Sequence, residues 1–399
     1  MKSKPVNNIQ DLQFFGEFGG VNPSISDSST YTFLSANSMS ETFEGNMEGC
    51  YLYSRNSSPS NLYLEEACAA LEGTEAANVF SSGMGAITAT ILQLCKSEDH
   101  IISSRTVYGG TYAFLKNFTP QLKIETTFVD ITSLDDINNS IKPNTKIIYC
   151  EVSSNPLLEI ADLEEISKIA KKNNIKLVVD NTFTPLSISP AKYGADVVIH
   201  SLTKFINGTS DTIAGVVCSS KEFIHSLRDV NDGAFMLMGT TMDSLRAASV
   251  LKNMRTLHIR MKKHSENAMY LAESFEKDGI KAVYPGLKSH PSHKIFSKMM
   301  NKEYGYGGML TIDVGSLETA NKLMEKMQDK NLGYLAVSLG FHKTLFCAPG
   351  SSTSSEISEE EQEKMGLSEG LIRFSVGLDQ DISRTYEGIK KCLKEFNLI

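Results

Sequence analysis

Between residues 61 and 250, short apolar runs alternate with amphipathic stretches, and this alternation constrains the fold more than any other feature of the chain. The runs 78–81, 100–103, 126–130, 146–151, 176–180, 196–200 and 212–218 have the length and β-branched content of buried strands. The stretches 84–95, 110–117 and 163–173 between them carry apolar residues at helical spacing. Strands separated by helices need crossover connections, so the expected core is a doubly wound, mostly parallel, seven-stranded α/β sheet. A long helical pattern at 242–278, with Leu245, Ala248, Leu251, Leu257, Met261 and Ala268 on its apolar side, leads out of this unit. Beyond it, 308–314 and 371–376 read as strands and 318–328 and 382–396 as helices, which makes a smaller α+β unit. The Ser-rich stretch 350–358, followed by Glu359, Glu360 and Glu361, reads as a solvated loop or helix start. Residues 1–60 show little periodicity and are expected to drape over something else. The expected division is therefore 1–60, 61–255 and 256–399.

The charge balance narrows the partners. A formal net charge of −8 leaves no basic surface for nucleic acid or an anionic membrane. No apolar run approaches a membrane span, and the start Met1-Lys2-Ser3-Lys4-Pro5-Val6-Asn7-Asn8 lacks the apolar core of a signal peptide, so the expectation is a cytoplasmic protein. The seven cysteines include no C-x-x-C pair and read as buried, reduced thiols. The eight histidines show no ligand spacing, so no metal site is expected.

The chemistry concentrates at strand ends, where open α/β sheets bind ligands. The run Asp196-Val197-Val198-Ile199-His200-Ser201-Leu202-Thr203-Lys204 is a strand followed by a lysine with hydroxyls beside it. Such a group suits a phosphorylated aldehyde, with Ser201 and Thr203 donating to the phosphate and Lys204 bonding the carbonyl carbon. Alone, it better suits a surface-loop lysine. Asp180 ends the preceding apolar strand and could hold a pyridine nitrogen protonated, or simply cap a turn. Ser81-Ser82-Gly83-Met84-Gly85 runs from strand into helix, and its glycines free backbone N–H groups for an anion. The same run partly mimics a dinucleotide fingerprint, but Thr88 stands where Gly or Ala is needed, which disfavours a nicotinamide dehydrogenase.

Together with Tyr51-Leu52-Tyr53-Ser54-Arg55, Tyr108-Gly109-Gly110-Thr111 and Arg373-Phe374-Ser375-Val376-Gly377, these motifs resemble, in order and over nearly the whole chain, the cysteine/methionine-metabolism family. That is the cystathionine γ-synthase-like branch of fold-type I pyridoxal 5′-phosphate enzymes. The runs 16–22, 304–308, 333–340 and 350–356 are most similar to the plant-type methionine γ-lyases within it. The resemblance implies pyridoxal phosphate as cofactor, carried by Lys204, with Asp180 at the pyridine nitrogen. Ser201, Thr203 and the backbone of Gly83 and Met84 would hold the phosphate, and Tyr108 would stack on the ring and act as general acid. Arg373, Asn155 and Ser338 would bind the substrate carboxylate. Tyr53 and Arg55 would reach a neighbouring subunit's cofactor, so residues 1–60 would contact that neighbour and the protein would be a dimer of dimers.

From the residues themselves, Tyr108 could be a core aromatic at a turn, Tyr53 and Arg55 ordinary loop residues, and Arg373 the partner of a structural carboxylate. One departure from the resemblance is Gly110, where many bacterial methionine γ-lyases have cysteine. The expected reaction is γ-elimination of methionine to methanethiol, ammonia and 2-oxobutanoate. The alternatives are cystathionine γ-lyase activity, γ-replacement on an O-acylhomoserine, or a catalytically silent cofactor-binding protein.

Overall fold

A computed structural model describes residues 5–44, 47, 49–352 and 357–399. Seven strands form the first sheet: β1 (Ala76–Phe80), β2 (His100–Ser104), β3 (Glu125–Val129), β4 (Thr145–Glu151), β5 (Lys176–Asp180), β6 (Val197–Ser201) and β7 (Gly215–Ser219). Their spatial order is β1-β7-β6-β5-β4-β2-β3. Only β7 runs against its neighbours; the other pairings are parallel. The expected doubly wound sheet is present, and both its faces are buried. Ile147 and Tyr149 pack with Ile87 and Ile91 of the helix Gly83–Leu94, whereas Ile148 and Cys150, one residue on in each case, pack with Leu163 and Ile166 of the helix Leu163–Lys172. The latter helix is closed at its start by Asp162, which accepts from Glu165 N at 3.3 Å. Glu164 and Glu165 lie in its first turn and Lys171 and Lys172 in its last, as the backbone dipole favours.

The second sheet contains β8 (Lys281–Val283), β9 (Met309–Asp313), β10 (Tyr334–Leu335), β11 (Leu345–Cys347) and β12 (Leu371–Ser375), in the order β10-β11-β12-β9-β8. Leu310, Ile312, Phe346, Ile372 and Phe374 face helices Leu257–Lys277, Leu317–Asp329 and Ile382–Glu395. Only β9 and β12 are expected from the pattern; the other three strands have two or three residues, too few to show a period.

Three expected elements differ. The helix at 242–278 is two helices, Ser244–Met254 and Leu257–Lys277. At the break the Asn253 carbonyl accepts from Thr256 Oγ1 at 3.1 Å and from Arg260 Nη2 at 3.2 Å. The helix at 110–117 is a short α-helix, Gly109–Ala113, continuing as a π-turn, Phe114–Phe118. The strand at 212–218 begins only at Gly215, because Ala214 N donates to Thr203 Oγ1 instead of joining a ladder. In the N-terminal segment the helix Pro5–Asp11 lays Val6 and Ile9 on the main core, while Phe18, Val21 and Leu34 are fully or almost fully exposed. The expected solvated stretch 350–358 falls partly on residues 353–356, outside the described residues; Glu359–Lys364 is a helix.

Gly340 joins the two sheets. At φ +80° it lies so close to the loop after β6 that a Cβ would be 2.5 Å from Phe205 N and 2.7 Å from Lys204 C, while its own N–H donates to Ser375 Oγ at 2.8 Å. Gly340→Ala should therefore cost about 1–3 kcal/mol in backbone strain alone and lower the midpoint of urea unfolding. An unchanged midpoint would show that the loop has another place to sit.

Candidate active site

Parallel pairing places the carboxyl ends of β4, β5 and β6 on one edge, with Glu151 opposite Asp180 and Asp180 opposite Ile199. Tyr149, Val178 and Ile199 belong to the core beneath the helix Gly83–Leu94. Glu151, Asp180 and Ser201 lie two residues further along each strand, so they project to the same side at the edge. They line a cavity of about 310 Å³ together with Gly83, Met84, Tyr108, Asn155, Thr203, Lys204 and Arg373. The structure thus brings together most of the residues expected from sequence.

One end of the cavity suits an anion. Ser82 Oγ accepts from Gly85 N at 2.9 Å, while Gly83 and Met84, the first residues of the helix, have N–H groups with no carbonyl one turn back. The helix start can approach β6 because Gly83 has no side chain: a Cβ would lie 2.9 Å from Ser201 Cβ. The Thr203 hydroxyl is engaged by Ala214, at 2.9 Å to N and 3.2 Å to O.

The middle of the cavity holds two carboxylates. Asp180 is buried and its Oδ1 accepts from Thr182 N at 2.9 Å. Burial raises its pKa, against the pull of Thr182 and His200. Glu151 is pushed well above the ordinary carboxylate range by burial and by Asp180, although the N–H groups of Tyr108 (2.7 Å) and Asn155 (2.9 Å) and the charge of Arg373 oppose this. Among the described residues no cationic side chain pairs with Asp180. A protonated pyridine nitrogen would supply the charge that burial leaves uncompensated, so the site fits pyridoxal phosphate.

Lys204 Nζ donates to Ser338 Oγ at 3.1 Å, and burial, then the charge of Arg373, lowers its pKa to about 8. Arg373 comes from the second sheet. Ile372 and Phe374 face the helices, so alternation turns the guanidinium between them the other way, into the cavity. It is only 2% exposed and its Nη1 donates to Asn155 Oδ1 at 2.8 Å; among the described residues no carboxylate forms an ion pair with it. The structural-carboxylate partner considered from sequence is not there, and the fork retains donors for an incoming carboxylate.

Tyr108 is 43% exposed at the mouth, and its ring lies over Gly110, where a Cβ would be 2.7 Å from Tyr108 Cε1. A side chain at this position would force this ring aside. Tyr53 and Arg55 are not part of their own chain's cavity. They line a separate shallow cleft, where Arg55 Nη1 donates to Met236 O at 2.9 Å and the guanidinium lies 5.8 Å from the Tyr53 ring centre. Sequence reasoning misses Glu151, although its position at a strand end is that of Asp180, and misses the apolar walls Ile87, Ile213, Val337 and Leu339.

A model of Cys/Met metabolism pyridoxal-phosphate-dependent enzymes matches residues 6–392. Methionine γ-lyase of Arabidopsis thaliana is 46% identical over 369 residues, covering 91% of this chain and 84% of that protein. L-Methionine γ-lyase of Fusobacterium nucleatum subsp. polymorphum is 39% identical over 382 residues, 94% of either chain. The crystal structure of a putative O-acetylhomoserine (thiol)-lyase from Campylobacter jejuni superposes with a TM-score of 0.90 at 29% identity, covering 98% of this chain and 100% of that one, and contains a pyridoxyl-lysine monophosphate. Strand-end chemistry, cavity and relatives agree: the chain belongs to the Cys/Met metabolism family of pyridoxal-phosphate-dependent enzymes.

Proposed function

We propose that the protein cleaves L-methionine by γ-elimination, consuming one water and releasing methanethiol, ammonia and 2-oxobutanoate. The observation that carries this reading is one cavity in which an amine of lowered pKa, a strand-end carboxylate and an arginine fork meet walls of Ile87, Ile213, Val337 and Leu339. An uncharged methylthioether suits those walls. Cystathionine would bring a second charged amino-acid head, yet Lys204 and Arg373 are the only cations that this chain itself gives to the lining described. The two methionine γ-lyases at 46% and 39% identity support the same substrate.

Pyridoxal phosphate, when bound, supplies an electron sink for charge developing at Cα. Asp180 would keep its pyridine nitrogen protonated; Gly83, Met84, Ser201 and Thr203 would hold its phosphate. Arg373, Asn155 and Ser338 grip the α-carboxylate. Lys204, once free, removes the α-proton and assists transfer at Cβ, and Tyr108 protonates the departing sulfur. The preparation should release methanethiol and 2-oxobutanoate from methionine faster than pyruvate from cysteine. Tyr108→Phe should keep the ring and lose about 10²–10⁴-fold in kcat. Thioether formation from O-acetylhomoserine without methanethiol from methionine would put a γ-replacement enzyme in its place, the activity in the name of the Campylobacter neighbour.

Arg373→Ala should raise KM about 10- to 150-fold, the loss of a charge-assisted contact of about 1.5–3 kcal/mol. It has a second signature. Bonding of pyridoxal phosphate to Lys204 needs the neutral amine, so its pH profile in apoprotein should have a midpoint near about 8; removing the neighbouring cation favours the ammonium form, so the midpoint should move upward. A midpoint that stays or falls would separate Arg373 from Lys204.

Tyr53 and Arg55 are read as completing a neighbour's site in a homodimer, paired into a tetramer, with the N-terminal segment at the contact. The exposed Phe18, Val21 and Leu34, and the distance of Tyr53 and Arg55 from their own cavity, support this. Hybrids of Arg55→Ala and Lys204→Ala chains should recover activity that neither homo-oligomer has; inactive verified hybrids would mean that each chain builds its own site. Six buried, unpaired cysteines suit a reducing compartment, and the cytoplasm is the proposed location. Among the described residues no helix is long and apolar enough to cross a membrane.

A further inference from the structure

Behind the cofactor strands, on the face away from the cavity, lies a buried polar cluster that the chemistry above does not use. Glu72 is the last residue of the helix Pro59–Glu72 and is 1% exposed. Its Oε1 accepts two hydrogen bonds, from His200 Nε2 at 2.7 Å and from Asn181 Nδ2 at 2.9 Å. His200 and Asn181 are buried as well. His200 immediately precedes Ser201 on β6, and Asn181 immediately follows Asp180 at the end of β5. One carboxylate oxygen therefore touches the tips of both strands that present cofactor residues.

Period-two alternation makes this arrangement specific. Asp180 and Ser201 project toward the cavity, so Asn181 and His200 project to the opposite face, where the helix carrying Glu72 packs through Leu64 and Cys68 against Val198. The two tips are also joined by Asn181 N donating to Ile199 O at 2.8 Å. Asn181 is held further by Thr184 Oγ1 on its Oδ1 at 2.6 Å and by Ile188 O on its Nδ2 at 2.9 Å. Glu72 Oε2 and His200 Nδ1 are buried and have no hydrogen-bond partner among the described residues. Leaving these groups unsatisfied opposes folding, so a core built for stability alone would do better with apolar residues at this place.

We propose that Glu72 is a positioning residue of the active site: through His200 and Asn181 it fixes the spacing between Asp180 and Ser201, and hence between the sites for the cofactor's ring nitrogen and its phosphate. The proposal rests on the roles given above to Asp180 and Ser201, but not on the identity of the substrate. His200 also opposes the rise that burial imposes on the pKa of Asp180.

The test compares Glu72→Ala, Glu72→Gln and Asn181→Ala in the full-length protein. The readouts are the Kd for pyridoxal phosphate titrated into apoprotein, the visible circular-dichroism band of the bound cofactor, apoprotein thermal unfolding, and kcat and KM. Glu72→Ala should weaken cofactor binding about 10- to 100-fold, the range for removing residues that orient metal ligands, whose supporting role is analogous. It should also shrink the circular-dichroism band and lower kcat while KM for methionine stays, because the Arg373 clamp is untouched. Glu72→Gln keeps an oxygen that accepts both hydrogen bonds and should restore most of the affinity; if it is as defective as Glu72→Ala, the hydrogen-bonded tie is wrong. A Glu72→Ala protein that unfolds earlier yet binds cofactor with the original Kd and dichroism would reduce Glu72 to a structural residue and overturn the proposal. Should Glu72→Ala fail to fold, Asn181→Ala severs one of the two ties and must show the same losses to a smaller degree; a folded Asn181→Ala protein with unaltered Kd and dichroism would overturn it equally. Cofactor binding and dichroism need no substrate, so these results stand whether or not methionine is cleaved.

Discussion

The parallel register of β4, β5 and β6 is the constraint from which the rest of the site follows. Because side chains alternate strictly along a strand, a slip of one residue in β5 would turn Asp180 into the core and Asn181 into the cavity. The apolar residues that prevent this are Val178 and Val179, each fully buried on its own face. The functional edge is thus specified by burial one and two residues before the chemistry, and the buried carboxylates there are tolerated because hydrogen bonds from Thr182, Tyr108 and Asn155 meet them.

Electrostatics then separates the roles of the groups. Lys204 and Arg373 are cations in one cavity, and their mutual repulsion together with burial favours a neutral amine. Glu151 and Asp180 are carboxylates side by side, and their repulsion with burial favours a proton on the pair. The departures point in opposite directions from ordinary values, and each would relax on binding a group with an anionic phosphate, an anionic substrate carboxylate and a cationic ring. A cavity strained in this way is selective for the ligand that carries all three.

How much of this can be read from the chain depends on whether a residue belongs to a patterned element. Asp180 and Lys204 are legible because each follows an uninterrupted apolar strand, and Gly83 because a glycine pair opens a helix. Asn155 and Ser338 sit on loops without period, and only the resemblance points to them. Glu151 ends a strand as Asp180 does, but Ser153 and Ser154 follow it without a lysine to draw notice. The division of the helix at Arg255 and Thr256 escapes the pattern since the apolar spacing runs on through it; what ends the first helix is side-chain donors taking the Asn253 carbonyl, a tertiary effect. Glu72 is least legible of all, as a helix-ending glutamate before Gly73 looks like any solvated terminus until His200 is seen beside it.

Arg260 gives this architecture a mechanical property. Its guanidinium binds the carbonyls of Phe205 and Ile206, one and two residues after Lys204, from the first turns of the helix that leads to the second sheet. The cavity has one wall from each sheet, and this clasp fixes a fulcrum next to the amine. Points on a lever move in proportion to their distance from the fulcrum. A rocking of the second sheet about Arg260 would therefore move Arg373 through a larger arc than Lys204, whose backbone neighbours the clasp holds.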